Sequence, residues 1–329
     1  LGAAIPAVMA YNYYVGRVRR FAMLMDTFIL EFMNLVDTFI DFIAYKMRLV
    51  TDANRADAIT APSNLYDPSM TFDKGEDPEL PAGTPVLVNG CGLSETVDGG
   101  YAEYARVDSG SVVPIPDGMS AAEAMQIGTA GYTAALEIHR MEQNGQAPDL
   151  GPVVVTGATG GVGSIAVDML AGRGYEVAAV TGKASEEDYL RKIGASRILL
   201  RDDIDFGKRP LEKAEWAGAI DNLGGDYLAW LTRTADYGAN IAAIGLASSI
   251  KLETTVMPFI LRAVSLLGIN SVDTPRDLRL ATWSRIGGDL RPRHLDTIGG
   301  RTIGFDELPG AFQAFIDGKV TGRIVVEIG

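Results

Sequence analysis

Four glycines follow a run of β-branched residues in VVVTGATGGVGS, residues 153–164. The strand PVVVT delivers the chain to a tight turn over 157–163. The helix that follows carries Val162, Ile165, Ala166, Met169 and Leu170 on one face, at spacings of three and four. The first amides of such a helix have no intrahelical acceptor and form an anion site. Gly160 and Gly161 therefore let a pyrophosphate approach the backbone, and Gly163 lets the helix pack closely on the strand. A glycine pattern alone is weak evidence. Strand, loop, amphipathic helix and second strand in succession point to a bound dinucleotide, with a ligand-free glycine turn as the plain alternative.

The choice of dinucleotide is read at the tip of the second strand. NAD enzymes place Asp or Glu there to bind the ribose diol. Here YEVAAVTGKASEED ends in Thr181, Gly182 and Lys183, with no acid at the tip. The Lys183 ammonium and the Thr181 hydroxyl suit a 2′-phosphate, and Arg201 after the third strand is placed to reach the same group. The expected cofactor is NADPH; the competing reading of Lys183 is a solvated surface residue.

These residues need a scaffold, and the pattern from Pro152 onward supplies one. Strands are predicted at 152–156, 176–180, 197–200, 217–221, 240–245 and 264–269, with helices at 162–172, 186–193 and 226–236. Such alternation reads as an α/β fold, a doubly wound parallel sheet of the Rossmann type. Upstream, 84–90, 101–107 and 111–116 read as short strands of a small antiparallel unit, and 128–143 as a helix. Downstream come an Arg-rich helix (276–286), a helix at 307–317 and a final strand at 322–329. TGATGGVG also satisfies the glycine pattern of short-chain dehydrogenases. Those begin with this loop and carry a later Tyr-x-x-x-Lys pair; here the loop sits at mid-chain and no such pair follows.

Composition narrows the partners. The chain of 329 residues is 47% hydrophobic and carries 29 basic against 42 acidic residues, a net charge of −13. That balance argues against nucleic acid. Cys91 is the only cysteine, so no intrachain disulfide forms and a reducing, cytoplasmic setting is expected. With one cysteine and two histidines (His139 and His294), neither a cysteine-rich structural zinc site nor the usual catalytic zinc set is available, and no metal is expected. Both histidines are expected at the surface.

The segments GCGLSETVDGGYAEYARV (90–107), GTAGYTAA (128–135), GPVVVTGATGGVGSIAV (151–167), EWAGAIDNLGG (215–225), TTVMPFILRAVSLLGINSV (254–272) and GRIVVEIG (322–329) closely resemble the zinc-independent medium-chain dehydrogenase/reductase superfamily. Within it they are similar to the quinone-oxidoreductase-like branch that includes NADPH-dependent acrylyl-CoA reductases. The resemblance implies a GroES-like catalytic domain, here partial and formed by 81–118 and 273–329, around an NADP-binding Rossmann domain at 119–272. It implies that Thr159–Val162 hold the pyrophosphate, that Thr181, Gly182, Lys183 and Arg201 hold the 2′-phosphate, and that Leu246, Ile260 and Ser271 lie near the nicotinamide. The implied reaction is hydride transfer to the β-carbon of an α,β-unsaturated thioester or quinone-like enone, with protonation at the α-carbon. No catalytic side chain is assigned. Arg276, Arg279, Arg285, Arg291 and Arg293 form a basic tract, expected either as a solvated helix face or as a contact for coenzyme A phosphates.

The head departs from this family. LGAAIPAVMAYNYYVG (1–16) is apolar and is followed by Arg17, Arg19 and Arg20. From Phe21 to Val50 an apolar helix is predicted, with Thr27, Glu31, Asn34, Thr38 and Asp41 as its polar stripe. Residues 1–45 resemble the end of a biopolymer-transport proton-channel subunit, so any membrane association is expected through 1–50, with 51–80 as a linker. The family's first 75 or so residues, with an Asn-Tyr-Lys-Asp segment lining the active site, have no counterpart. A natural fusion, a misjoined or truncated reading frame and extreme divergence stay open as reasons; the misjoined or truncated frame is the expected one, and impaired catalysis its consequence. The expected function is an NADPH-dependent oxidoreductase acting on a small-molecule substrate such as a CoA thioester, with a homodimer possible. An inactive NADPH-binding remnant and an accessory part of a proton-channel assembly stay open as alternatives.

Overall fold

The computed structural model describes residues 80, 83–93, 96, 101, 105 and 107–328. The expected helical head and linker (1–50 and 51–79), and most of the strand expected at 101–107, lie outside the described residues. In chain order the strands are β1 (Val86–Val88), β2 (Val112–Pro114), β3 (Val153–Val155), β4 (Val177–Thr181), β5 (Arg197–Leu200), β6 (Trp216–Asp221), β7 (Ala235–Ala243), β8 (Ser265–Gly268), β9 (Arg301–Gly304) and β10 (Ile324–Glu327). The α-helices are α1 (Ala121–Gln143), α2 (Gly161–Gly172), α3 (Glu187–Lys192), α4 (Gly225–Thr234), α5 (Met257–Leu261), α6 (Arg276–Gly287), α7 (Leu295–Ile298) and α8 (Leu308–Ile316).

Six strands form one parallel sheet in the order β5-β4-β3-β6-β7-β8. Val153, Val154 and Val155 sit at its centre, paired with Val177, Ala178 and Ala179 on one side and with Gly218, Ala219 and Ile220 on the other. A strand buried on both faces needs apolar residues at every position, which is what the Val run supplies. The chain order reverses between β3 and β6, and in such sheets ligands bind beyond the carboxyl ends of the strands at that point.

Helix α1 starts earlier than the sequence pattern indicates. Ser120 and Glu123 form a capping box: Ser120 Oγ accepts from the Glu123 amide (3.1 Å) and a Glu123 carboxylate oxygen accepts from the Ser120 amide (2.8 Å). The helix kinks at Gly128, whose backbone leaves the helical region (φ 51°, ψ −155°). Beyond the kink α1 is deeply buried and packs on α2 and the sheet through Tyr132, Leu136, Ile138 and Met141.

Two small sheets flank the large one. β1 and β2 pair antiparallel, and β9 and β10 pair parallel, Ile324 opposite Arg301 through Glu327 opposite Gly304. The sequence pattern indicated β10 but not β9, which lacks a β-branched run and depends on its partner. The Asn89 end of β1 is fastened to α6: Trp283 Nε1 donates to Asn89 Oδ1 (2.9 Å), and Arg279 donates to the Asn89 carbonyl. No helix among the described residues is long and apolar enough to cross a membrane.

Candidate dinucleotide site

The glycine loop joins β3 to α2 at the point where the sheet order reverses. Gly157 takes a left-handed backbone (φ 61°), which a residue with a Cβ resists. Gly160 is the N-cap of α2 and offers no side-chain acceptor, so the first helical amides are left to an outside anion. A Cβ on Gly163 would stand 2.4 Å from the Gly157 carbonyl oxygen and 2.8 Å from Ala158 Cα. The last of the four glycines is thus required by the loop folded back on its own helix, a more local reason than helix–strand packing.

The loops beside it are locked by a buried carboxylate. Asp221 at the end of β6 accepts from Thr156 Oγ1 (2.8 Å) and from the amide of Gly224 (2.9 Å). Asn222 donates from its amide to Thr156 Oγ1 (2.9 Å) and from Nδ2 to the Thr156 carbonyl (2.8 Å). Burial raises the Asp221 carboxyl above its ordinary range, and the three hydrogen bonds it receives act to lower it. Glu137 on α1 is fully buried, neither carboxylate oxygen has a hydrogen-bond partner among the described residues, and burial followed by the charge of Asp221 pushes its pKa well up.

At the tip of β4 the residues picked from the sequence converge. Thr181 is buried and its hydroxyl lies 3.2 Å from that of Thr159, while accepting from the Lys183 amide (3.0 Å). Its oxygen therefore shapes the turn and ties it to the glycine loop. The guanidinium of Arg201 lies over Gly182, 3.3 Å from where a Cβ would be, so a side chain at 182 would displace it. Arg201 is largely exposed and contacts Asp202 at 3.3 Å, a surface pair of little energetic weight. Lys183 Nζ donates to the Val320 carbonyl (2.6 Å) and to Thr321 Oγ1 (3.2 Å). Half-burial lowers its pKa, and Glu186 acts against that.

Leu246, Ile260 and Ser271 are not brought together. Leu246 lines a cavity of about 320 Å3 with Gly224, Gly245, Ser249, Lys251 and Ile269; Ile260 and Ser271 are absent from its lining. Ile260 projects from the short α5 and is 72% exposed, whereas Ser271 is buried in the loop after β8. Gly245 is also needed: a Cβ would lie 1.9 Å from the Asn222 carbonyl carbon.

Arg323 went unassigned in the sequence. It is 5% exposed, donates through Nε to the Gln126 carbonyl (3.1 Å), and lays its side chain within 3.2 Å of a Cβ position on Gly161. This puts a cation at the start of α2, about 160 residues later in the chain. Only its position after a glycine at the head of a strand could have drawn notice.

The Arg tract is neither of the things expected. Arg276 donates to the carbonyls of Ser109, Gly110 and Val112, and Arg279, 1% exposed, to those of Asn89, Val272 and Thr274. Arg285 bonds Glu142 and Asp289, and Arg291 bonds Glu123 and the Gly118 carbonyl. Arg293 is the most exposed of the five, 4.0 Å from buried Asp168. Four of the five are occupied by the fold: Arg276, Arg279 and Arg291 donate to backbone carbonyls that need partners, and Arg285 to the carboxylates of Glu142 and Asp289.

The histidines are likewise not free surface residues. His294 Nδ1 lies 2.7 Å from Asp168 Oδ1, and His139 lies 3.3 Å from Arg285, where burial and then Arg285 lower its pKa. Among the described residues, no three His, Cys, Asp or Glu side chains gather into a group able to hold a metal.

A doubly wound parallel sheet, a glycine loop opening onto a helix N-terminus at the reversal point and a basic turn beside it define a dinucleotide-binding oxidoreductase fold. Comparison with known proteins gives the family. Residues 161–284 match the model described as zinc-binding dehydrogenase. The chain is 45% identical over 263 residues to a putative quinone oxidoreductase, YhfP, of Bacillus subtilis, covering 80% of each. It is 44% identical over 259 residues to the acrylyl-CoA reductase AcuI of Ruegeria pomeroyi, covering 78% of each. A crystal structure of Escherichia coli K-12 YhdH with bound NADPH superposes with a TM-score of 0.73 at 46% identity, over 76% of this chain and 77% of that one. Bacillus subtilis yhfP with NAD bound superposes with a TM-score of 0.74 at 46% identity, over the same shares. The chain belongs to the medium-chain dehydrogenase/reductase family.

Proposed function

We propose that the protein is an NADPH-dependent reductase of activated C=C bonds, acting on an acrylyl-CoA-like enoyl thioester or a quinone-like enone. The observation that carries the cofactor choice is the turn after β4. It has no acid at the strand tip and holds Lys183 and Arg201 beside Gly182, next to the glycine loop. Two cations and no acid at the strand tip itself favour a 2′-phosphate over a bare ribose diol.

The residues present fit such a cofactor. Gly163 and Gly157 keep side chains out of the turn, and the amides at Gly161 and Val162 open α2 toward the pyrophosphate. Thr159 and Thr181 hold the glycine loop and the basic turn at fixed separation, and Arg323 adds positive charge at the helix start. Leu246 would face the nicotinamide end; Ile260 and Ser271 would join it only if another element or a second copy completes that wall. The cofactor, when bound, supplies a hydride, and the substrate double bond takes it at the β-carbon and a proton at the α-carbon. The chain's part is to bind, orient and exclude water. Residues 119–272 form the cofactor domain in this reading, and 81–118 with 273–329 the partial catalytic one.

Fluorescence titration with NADPH and NADH tests the cofactor, with NADPH expected to bind at least tenfold more tightly. Consumption of NADPH on adding acrylyl-CoA, or a quinone in a parallel assay, tests the reaction. Tight NADPH binding without turnover of either substrate would identify a cofactor-binding protein that has lost the reaction. Tighter binding of NADH would refute the cofactor choice.

A further inference from the structure

The turn that leads into β10 is built into both ends of the proposed cofactor site. The Gly322 amide donates to the Thr159 carbonyl in the glycine loop (3.0 Å), and the Arg323 amide donates to the Ile298 carbonyl (2.7 Å). One residue earlier, Thr321 Oγ1 and the Val320 carbonyl both accept from Lys183 Nζ. Gly322 has a left-handed backbone (φ 69°), and a Cβ there would lie 2.2 Å from the Ile298 carbonyl oxygen, so this turn admits glycine alone without moving. Four consecutive residues thus touch the pyrophosphate loop through Gly322 and Arg323, and the 2′-phosphate turn through Val320 and Thr321.

We infer that Val320–Arg323 is a positioning strap that couples recognition of the 2′-phosphate at Lys183 to the seating of Arg323 on the glycine helix. This rests on the cofactor reading proposed above. An ammonium has three N–H donors, and two of those on Lys183 already hold the strap. A phosphate engaging the third fixes the ammonium in place with both strap acceptors on it. The strap amides then open less often, and Arg323 is held against Gly161. A ligand lacking the 2′-phosphate occupies the same loop without immobilising Lys183. Thr321 is a positioning residue in this scheme, acting on the cofactor only through Lys183.

Hydrogen exchange at the Gly322 and Arg323 amides reads the strap directly, because both are donors in the seam. The full-length protein is saturated with 2′,5′-ADP or with 5′-ADP, occupancy being checked by titration. Exchange is expected to be at least threefold slower with 2′,5′-ADP, and the difference should vanish in Lys183→Met. Thr321→Val should lower the NADPH-to-NADH affinity ratio about threefold, and have no further effect in the Lys183→Met background. Equal or faster exchange with 2′,5′-ADP, both ligands being bound, overturns the strap and leaves the cofactor assignment standing. An unchanged affinity ratio in Thr321→Val does the same. Failure of the wild-type protein to prefer NADPH in the titration overturns the cofactor assignment, and the strap with it.

Discussion

Two groups of cations, Lys183 with Arg201 and the arginines from 276 to 293, read alike in the sequence and ended in opposite circumstances. Both are clusters of positive charge in an acidic chain, next to loops. Arg201 stands 58% exposed over a glycine and meets only its neighbouring aspartate. Arg279 is sealed inside with three backbone carbonyls on its guanidinium, which lies 5.9 Å from the Tyr132 ring centroid. The difference lies in the supply of acceptors. Where strand ends and loops converge, carbonyls lack donors and absorb any guanidinium within reach; at the open strand tip the Arg201 guanidinium stays turned outward over glycine, while Lys183 beside it gives two donors to Val320 and Thr321 and keeps one.

The sharpest way to break this contrast is to remove Arg279. Arg279→Met takes the guanidinium donors from the Asn89 and Thr274 carbonyls, while that of Val272 keeps the Cys91 amide, and should cost about 3–5 kcal/mol in chemical denaturation. The NADPH-to-NADH affinity ratio of the folded fraction should not change. A variant of full stability would mean that the arginine tract does not hold the fold, and the contrast would collapse.

Gly163→Ala comes next. Its Cβ meets backbone and has no flexible side chain to push aside, so a loss of about 1–3 kcal/mol is expected. Affinity for NADPH and NADH should fall together, tenfold or more. Lys183→Met should instead lower NADPH affinity alone, about tenfold to a hundredfold, the scale of one charge-assisted hydrogen bond. If both dinucleotides weakened equally, Lys183 would belong with the structural cations.

Glu137 supplies the acidic counterpart, a carboxyl buried with no hydrogen-bond donor among the described residues. Below about pH 4.5 the folded and unfolded carboxyls are both protonated and the group costs nothing extra. As pH rises, the unfolded state releases its proton while the folded state keeps it, so stability falls until the raised folded pKa is passed. Glu137→Met should stabilise the protein by about 1–3 kcal/mol at pH 8 and by much less near pH 4, measured by denaturant titration at each pH. A gain independent of pH would show that packing, not ionisation, is what changed. The smallest effect belongs to Arg291→Met, which breaks a half-exposed pair with Glu123 (2.9 Å) and should cost about 1 kcal/mol or less.

Where local pattern and tertiary setting agreed, the sequence was legible. β5 was expected at 197–200 and lies there, and α2 and β3 fall within a residue of the expected ends. Short-range glycine geometry, strand burial and helix periodicity are all written within a dozen residues. The start of α1 was missed although Ser120-x-x-Glu123 is a visible capping signal, because Gly128 and Thr129 drew the boundary to the kink. β9 was missed because Arg-Thr-Ile-Gly has no strand pattern of its own, and only pairing with β10 makes it one.

The sequence by itself determined the parallel sheet, the phosphate-cradling turn and the acid-free strand tip after it, since each depends on neighbours a few residues away. Only the tertiary structure decided which cations face the site. It withdrew four arginines into the fold, turned the Thr181 hydroxyl inward, and left Ile260 and Ser271 apart from the cavity that Leu246 lines. It also carried Arg323 and the Val320–Gly322 turn to the glycine loop from the far end of the chain. Whether a side chain is free to meet a ligand depends on which acceptors lie within about 3 Å of it, and many of those, such as Val112 for Arg276, Asn89 for Arg279 and Val320 for Lys183, come from segments more than a hundred residues away.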